Sequence, residues 1–322
     1  MNSKQLISRN IELFYNNASE ETRLEKGMGV FEFERIKILI EKYLPIGTSK
    51  IIDIGGGTGK YAAWLAQKGH DVYLVEPLLK HIEIAKNRAN KLKNKFSIHV
   101  GEARRLEFPN HFADLIILHG PLYHLQTRED RAVAISEARR VLKDNGIILA
   151  FAINYTASTV VGLLSGLIHK NSFFQMCKEE LTTGLHNPPI DFPWLLAEAY
   201  YHKPEELKDE FFHQELTYLR TYAVEGMIWL DKDYFANMLN EKRRETLLEL
   251  LQVTEDDNYL LPFSPHMMIA VQKNITMENK TRYYQAFLEN RGQLNEIEVG
   301  EEIGLDEDET RKIIVQLLSE QN

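Results

Sequence analysis

At 322 residues the chain is long enough for two ordinary domains, or one large domain with an appendage, and for a substantial core. Its 44% hydrophobic and 26% charged content, with 18 glycines and 10 prolines, is that of a globular protein and excludes collagen-like, low-complexity or wholly disordered character. The net charge of −9 is uneven: residues 275–322 hold 11 acids against 5 bases, so they carry −6 and the rest −3, and neither part has the basic excess that general affinity for a phosphate backbone requires.

Nucleic acid is therefore a disfavoured partner. The N-terminal stretch MNSKQLISRNIELFYNNASEE reads as an amphipathic helix without the continuous apolar core of a signal peptide, and a cytoplasmic location is the expectation. Phe33, Ile36, Leu39, Ile40, Tyr43 and Leu44 recur at helical spacing and predict a helix leading to Pro45. Short β-branched runs then alternate with helical patterns. Strands are predicted at Lys50–Ile54, Asp71–Val75, Phe96–Val100, Ala113–Leu118 and Gly146–Ile153, with helices near Lys60–Lys68, Leu78–Leu92 and Arg128–Leu142 between them. This is the signature of a parallel sheet covered by helices.

From Asn154 to about His213 the alternation breaks. Asn187-Pro188-Pro189, Pro193-Trp194 and a cluster of aromatics fit an inserted cap of helices and loops. The weakly charged stretch from Ala150 to Ile168 carries Asn154, Thr156, Ser158, Thr159 and Ser165, too polar to predict a membrane span. Gln214–Val224 and His266–Gln272 supply a sixth and a seventh strand, with a helix over Lys232–Gln252 between them. After Lys273, three short helices are expected at Arg282–Leu288, Glu296–Ile303 and Glu307–Leu318. They resemble the helical part of a winged helix, but Arg311 and Lys312 beside Glu307, Asp308 and Glu309 make no basic recognition face. A packing or homodimerisation appendage is the expectation, with boundaries at 1–273 and 274–322.

Cys177 has no second cysteine with which to form a disulfide, and no thiol cluster exists for zinc or an iron–sulfur centre. His169, His186, His202 and His213 share the insertion at spacings that fit no local metal motif, so no metal is expected. The strongest chemical signal is Ile51-Ile52-Asp53-Ile54-Gly55-Gly56-Gly57-Thr58-Gly59, a buried strand ending in a glycine-rich turn before a helix. Glycines allow positive φ and close approach to a ligand, and the following helix presents free N–H groups. A mononucleotide phosphate loop needs a hydroxyl where Tyr61 stands, so that reading fails. A dinucleotide fold and a nucleoside-sulfonium site both need an acid at the end of the second strand, which Glu76 supplies. Asp53 before the glycines, and Glu102 in Gly101-Glu102-Ala103 after the third strand, separate the two.

On these residues the chain resembles the class I S-adenosylmethionine-dependent methyltransferases over roughly residues 20–273. The resemblance implies a Rossmann-like α/β fold with a seven-strand, mostly parallel sheet. It implies that Asp53, Gly55, Gly56 and Gly57 form the loop against the methionine and ribose part of the cofactor. Glu76, followed by Pro77, would take the ribose hydroxyls, and Glu102 with Ala103 would bind adenine. Asp114 resembles the acid opening the fourth strand, and His119-Gly120-Pro121-Leu122-Tyr123-His124-Leu125 resembles a small-molecule branch of the family, with His119 beside the cofactor. His124 and Tyr123 are the candidate catalytic residues, since an imidazole can accept a proton near neutral pH.

Tyr15 and Arg23, from a segment that often closes over the cofactor in this family, are weaker candidates for the cofactor's carboxylate or the substrate. Phe173, Phe174, Trp194, Tyr200, Tyr201 and Trp229 are candidates for an aromatic substrate pocket. The expected activity is methyl transfer from S-adenosylmethionine to a small organic acceptor with an oxygen, nitrogen or carbon nucleophile. The alternatives are an S-adenosylmethionine-binding regulator and an RNA or protein methyltransferase acting through the C-terminal helices.

Overall fold

A computed structural model describes residues 6–17, 20–25, 27–274, 286–287, 295–303, 305 and 307–319. Three helices precede the sheet: α1 (Arg9–Asn17), α2 (Glu20–Arg23) and α3 (Met28–Glu41). The alternating part follows as β1 (Lys50–Ile54), α4 (Lys60–Gln67), β2 (Asp71–Glu76), α5 (Leu79–Asn90), β3 (Ser97–Val100), β4 (Ala113–Leu118), α6 (Pro121–His124), α7 (Arg128–Val141) and β5 (Leu142–Ile153). The inserted segment holds α8 (Ala157–Ser165), α9 (Asn171–Thr183), β6 (Leu185–His186), β7 (Ala199–Tyr200) and α10 (Pro204–Phe212). The chain re-enters the sheet as β8 (Leu216–Ala223), passes through α11 (Tyr234–Leu239) and α12 (Glu241–Thr254), and closes it with β9 (His266–Lys273).

The seven strands lie in the order β3-β2-β1-β4-β5-β9-β8. Pairing is parallel from β3 through β5, and β9 is antiparallel to both its neighbours, so β9 alone runs against the rest. The expected α/β fold with a mostly parallel sheet is therefore present. Alternation along each strand divides the core in two. Ile52, Ile54, Ile116, Leu118 and Ile148 pack with α7 and α10 on one face, through Ala134, Ile135, Leu207 and Phe211. Ile51, Leu74, Leu115, Ile117 and Leu149 pack with α3, α4 and α5 on the other, through Leu39, Ile40, Leu65 and Ala85. Both faces are covered, which is why these strands read as continuous apolar runs rather than as alternating ones.

Two local expectations fail. The single helix predicted over Lys232–Gln252 is two, because Asn240 has an extended backbone and its side chain accepts from the Arg243 amide as the N-cap of α12. The insertion contains a two-stranded piece, Leu185↔Tyr200 and His186↔Ala199, besides its helices. Of the helices expected after Lys273, the first falls largely outside the described residues. The other two are helices Glu296–Glu302 and Glu307–Ser319, which bury Val299 and Ile313 together. Among the described residues no helix is long and apolar enough to cross a membrane.

Candidate active site

In an open parallel sheet, ligands bind beyond the carboxyl ends of the strands where the strand order reverses. Here that point lies between β1 and β4, and a cavity of about 520 Å³ opens there. The size is that of a small-ligand site. Gly55, Gly56 and Gly57 from the β1 turn, Glu76 and Pro77 from the end of β2, and Glu102 and Ala103 after β3 all line it. His119, Tyr123 and His124 after β4 complete that wall. The candidates for the cofactor and for catalysis come from four chain segments and meet in one cavity, with one exception.

The exception is Asp53, which lies beneath the loop and not on the wall. It is fully buried, and neither carboxyl oxygen has a regular hydrogen bond among the described residues. Burial, then the charge of Glu76, pushes its pKa up to about 7, with the Ala62 amide acting weakly the other way. Its role is steric: a Cβ on Gly56 would stand 2.2 Å from its Oδ2, so the carboxyl fills the space that only a glycine leaves. Gly55 and Gly57 have φ of +73° and +56°, where a side chain is strained. A Cβ on Gly55 would stand 2.8 Å from the His119 carbonyl and 2.9 Å from Pro121 Cδ, so this glycine lets the β1 and β4 loops touch.

Two carboxylates face the cavity in fixed orientations. Glu76 Oε2 accepts from the Gly57 amide at 3.1 Å, and its Oε1 accepts from the Leu78 amide at 3.1 Å and meets His81 Nδ1 at 3.2 Å. Glu102 Oε2 accepts from the Arg104 amide at 2.9 Å and from Arg104 Nε at 3.0 Å, and Arg104 pairs with Asp130 at 2.9 Å.

The loop after β4 carries the imidazoles. His119 is stacked on Phe151 at 4.5 Å and lies over Tyr61 at 4.7 Å; burial pulls its pKa down to about 4. His124 Nε2 shares a hydrogen bond of 2.8 Å with Tyr15 Oη, its Nδ1 has no partner among the described residues, and burial brings its pKa down to about 3. Both are half-buried residues of the cavity wall, and with these values both are neutral at pH 7. Beyond α6, the buried Arg131 of α7 donates from Nη1 to the carbonyls of Leu125 and Gln126 at 3.0 and 2.9 Å, and from Nη2 to Glu210 of α10 at 2.6 Å. The loop is thereby tied to the insertion.

Helix α1 covers this wall. Ser8 Oγ and Asn10 Nδ2 donate to Glu198 at 2.8 and 2.7 Å, and Lys80 Nζ donates to the carbonyls of Tyr15 and Asn16 at 3.1 and 2.8 Å. Tyr15 and Arg23, the two N-terminal candidates, both reach the cavity. Arg23 is bidentate on Glu32, at 2.7 and 3.1 Å, next to a Glu225–His266 pair at 2.7 Å. Glu32, Glu225 and His266 place one possible ligand atom each within 4.8 Å of one another, the one such trio among the described residues. Two cations and two anions already balance there, so the group reads as a strut between α2, α3 and β9.

Burial disfavours protonation of His266, but Glu225 and then Glu32 outweigh it and Arg23 only partly opposes them, raising the pKa to about 9. A folded-state value above the ordinary 6.5 stabilises fully below pH 6.5, and the contribution is lost as pH rises through about 9. Discounted for partial exposure, the loss is on the order of 1 kcal/mol. Urea unfolding at pH 7 and pH 10 should therefore show a larger drop for the native chain than for His266→Gln; equal drops would remove the strut.

The aromatic-pocket expectation does not hold. None of Phe173, Phe174, Trp194, Tyr200, Tyr201 and Trp229 lines the cavity. Phe173, Tyr200 and Tyr201 are buried within the insertion, Trp194 and Phe174 are exposed, and Trp229 Nε1 donates to the Phe263 carbonyl. The insertion's histidines do not gather either: His186 pairs with Glu180 at 2.6 Å, and His202 with Glu210 at 3.4 Å. His81, Arg104 and Arg131 went unread in the sequence, because a charged residue in a helix or a turn carries no local mark of the partner that folding brings to it.

Residues 52–150 match the family model described as a methyltransferase domain. That segment carries the glycine turn, Glu76, Glu102 and the His119–His124 loop, and it is similar to the methyltransferase domains that the model describes. Over 122 residues the chain is 30% identical to the ubiquinone biosynthesis O-methyltransferase of Pelagibacter ubique (strain HTCC1062), covering 38% of this chain and 49% of that one. The chain thus spans about half the length of the curated relative it matches. Two solved structures share the fold of the methyltransferase domain: an S-adenosylmethionine-dependent methyltransferase from Methanosarcina mazei and one from Mesorhizobium loti. The first is 20% identical at a TM-score of 0.52, covering 74% of this chain and 98% of its own. The second is 14% identical at 0.50, with the same coverage.

Proposed function

We propose that this chain transfers a methyl group from S-adenosylmethionine to a hydroxyl of a small organic acceptor held between the β4 loop, α1 and the insertion. The observation that carries this reading is the convergence of the glycine turn, Glu76, Glu102 and the His119–His124 loop on one cavity. The residues fit the cofactor. Around Gly57 a Cβ would meet nothing nearer than 3.9 Å, which leaves an open cradle, and two fixed carboxylates stand where hydroxyl and amino donors need acceptors.

When bound, S-adenosylmethionine supplies an electrophilic methyl group on a sulfonium. The protein's work is alignment and exclusion of water. Gly55, Gly56 and Gly57 would bed the methionine and ribose portion, with His119 beside them. Glu76 and Pro77 would hold the ribose, and Glu102 with Ala103 the adenine, while Leu6, Ile7 and Ile11 shield the site. A neutral His124 hydrogen-bonded to Tyr15 suits orientation of an acceptor hydroxyl better than storage of its proton, because a general base works best with a pKa near the working pH. The O-methyltransferase named among the relatives agrees with an oxygen acceptor. Closure of the site by α1 through Glu198 and Lys80 favours a small molecule over a polymer.

Calorimetric titration with S-adenosylmethionine and S-adenosylhomocysteine, with NADH as control, tests the cofactor: the first two should bind and the third should not. No binding of the first two would end the reading. His124→Ala should leave that binding intact and lower turnover by about 100-fold, the usual scale for a lost positioning contact. If instead the native pH–rate profile shows an inflection near pH 7 that His124→Ala removes, His124 is a base and the positioning role falls.

A further inference from the structure

The carboxylate of Glu76 already has three partners. It offers about four acceptor sites, and three are taken by the Gly57 amide, the Leu78 amide and His81 Nδ1, at 3.1, 3.1 and 3.2 Å. A ribose presents two vicinal hydroxyl donors, so one acceptor is missing on this side of the cavity. His81, in the first turn of α5, is placed to supply it. Its side chain is 3% exposed, it lines the cavity, and its Nε2 is buried without a hydrogen-bond partner among the described residues.

The tautomer follows from Glu76. A carboxylate only accepts, so the proton of the neutral ring sits on Nδ1 and leaves Nε2 with a lone pair. The ring is held in that orientation by its neighbours. Tyr15 meets it edge-on at 5.4 Å, and a Cβ on Gly57 would stand 3.9 Å from Nδ1, which places the imidazole over the glycine turn. We infer that His81 is a second ribose ligand: it fixes the Glu76 carboxylate through Nδ1 and accepts from a ribose hydroxyl through Nε2. This rests on the reading of the cavity as an S-adenosylmethionine site.

The test measures affinity, not turnover. Kd is determined for S-adenosylhomocysteine and for its 2′-deoxy and 3′-deoxy analogues on the native chain, Glu76→Ala, His81→Phe and His81→Asn. His81→Phe keeps the ring and loses both nitrogens; it should weaken S-adenosylhomocysteine by about tenfold, one lost hydrogen bond of ordinary strength. For the analogue lacking the hydroxyl that His81 takes, the same substitution should cost much less. His81→Asn keeps an amide donor for Glu76 but has no Nε2, and should fall between Phe and native; it also stands in if the Phe variant does not fold. Nitrogen-15 spectra of the native chain should show a pyridine-type His81 Nε2 whose signal moves on binding.

Failure of the native chain to bind would overturn both this inference and the functional reading. Loss of binding in Glu76→Ala with His81→Phe within twofold of native overturns the inference alone. So does a His81→Phe penalty equal for all three ligands, which marks a merely structural side chain.

Discussion

Gly55→Val should abolish measurable S-adenosylhomocysteine binding and destabilise the fold by about 2 to 4 kcal/mol, combining a left-handed backbone with overpacking. The residue has φ +73°, and its amide donates to the Val75 carbonyl at 2.8 Å, so the chain cannot relax there without breaking the β1–β2 junction. Any Cβ would stand 2.8 Å from the His119 carbonyl and 2.9 Å from Pro121 Cδ. The displaced atoms are backbone and a proline ring, neither of which can swing aside. One substitution thus pushes apart the loop that would bed the cofactor and the loop that would present the acceptor. Gly47→Ala is the control: its φ of +84° is strained, but a Cβ there meets nothing within 4 Å, so stability should fall by about 1 kcal/mol with binding unchanged. Native-like affinity in Gly55→Val would show that the two loops need not touch.

This geometry was readable in the sequence as far as its causes are local. A β-branched run covered on both faces, a glycine turn needing positive φ and an acid at a strand end are each written within about ten residues, and they point to Gly55, Glu76 and Glu102, which the fold brings to one cavity. What folding adds from afar was not readable. Asn240 breaks a helix because its side chain caps the next one, although the residues around it keep helical character. Tyr200 and Tyr201 have the composition of pocket walls and the position of core, since aromatic residues serve both uses and only packing decides. His81 was passed over within a plain helical stretch, because its chemistry lies in its contact with Glu76 across the β2–α5 turn. The candidate site was legible where it is made of backbone conformation and illegible where it is made of partners.

Arg131 is the sharpest case of the second kind, and Arg131→Met should cost about 3 to 5 kcal/mol, the usual result of stripping one partner from a buried ion pair. The guanidinium is 1% exposed, lies 3.6 Å over the Tyr200 ring and takes Glu210 with Nη2 at 2.6 Å and with Nε at 3.0 Å. Burial acts to raise the pKa of Glu210, yet hydrogen bonds from His202 and Arg131 hold it down at about 2. A depressed carboxylate stabilises above its ordinary 4.5, and the contribution is lost as pH falls through about 2. Without Arg131 the balance reverses, Glu210 is left buried with only His202, and the variant should unfold at a higher pH than the native chain.

The same substitution frees the carbonyls of Leu125 and Gln126, so the loop carrying Tyr123 and His124 loses its tie to α10. The two consequences separate in the double variant Arg131→Met with Glu210→Leu. Apolar replacement of a whole buried pair is often neutral or stabilising, so urea unfolding should return most of the lost stability. The loop carbonyls stay unpaired, so the KM for the acceptor should remain raised while cofactor affinity stays native. A single variant within about 1 kcal/mol of native would remove the stabilising role, and a double variant with native KM would show that the loop holds its position by other means.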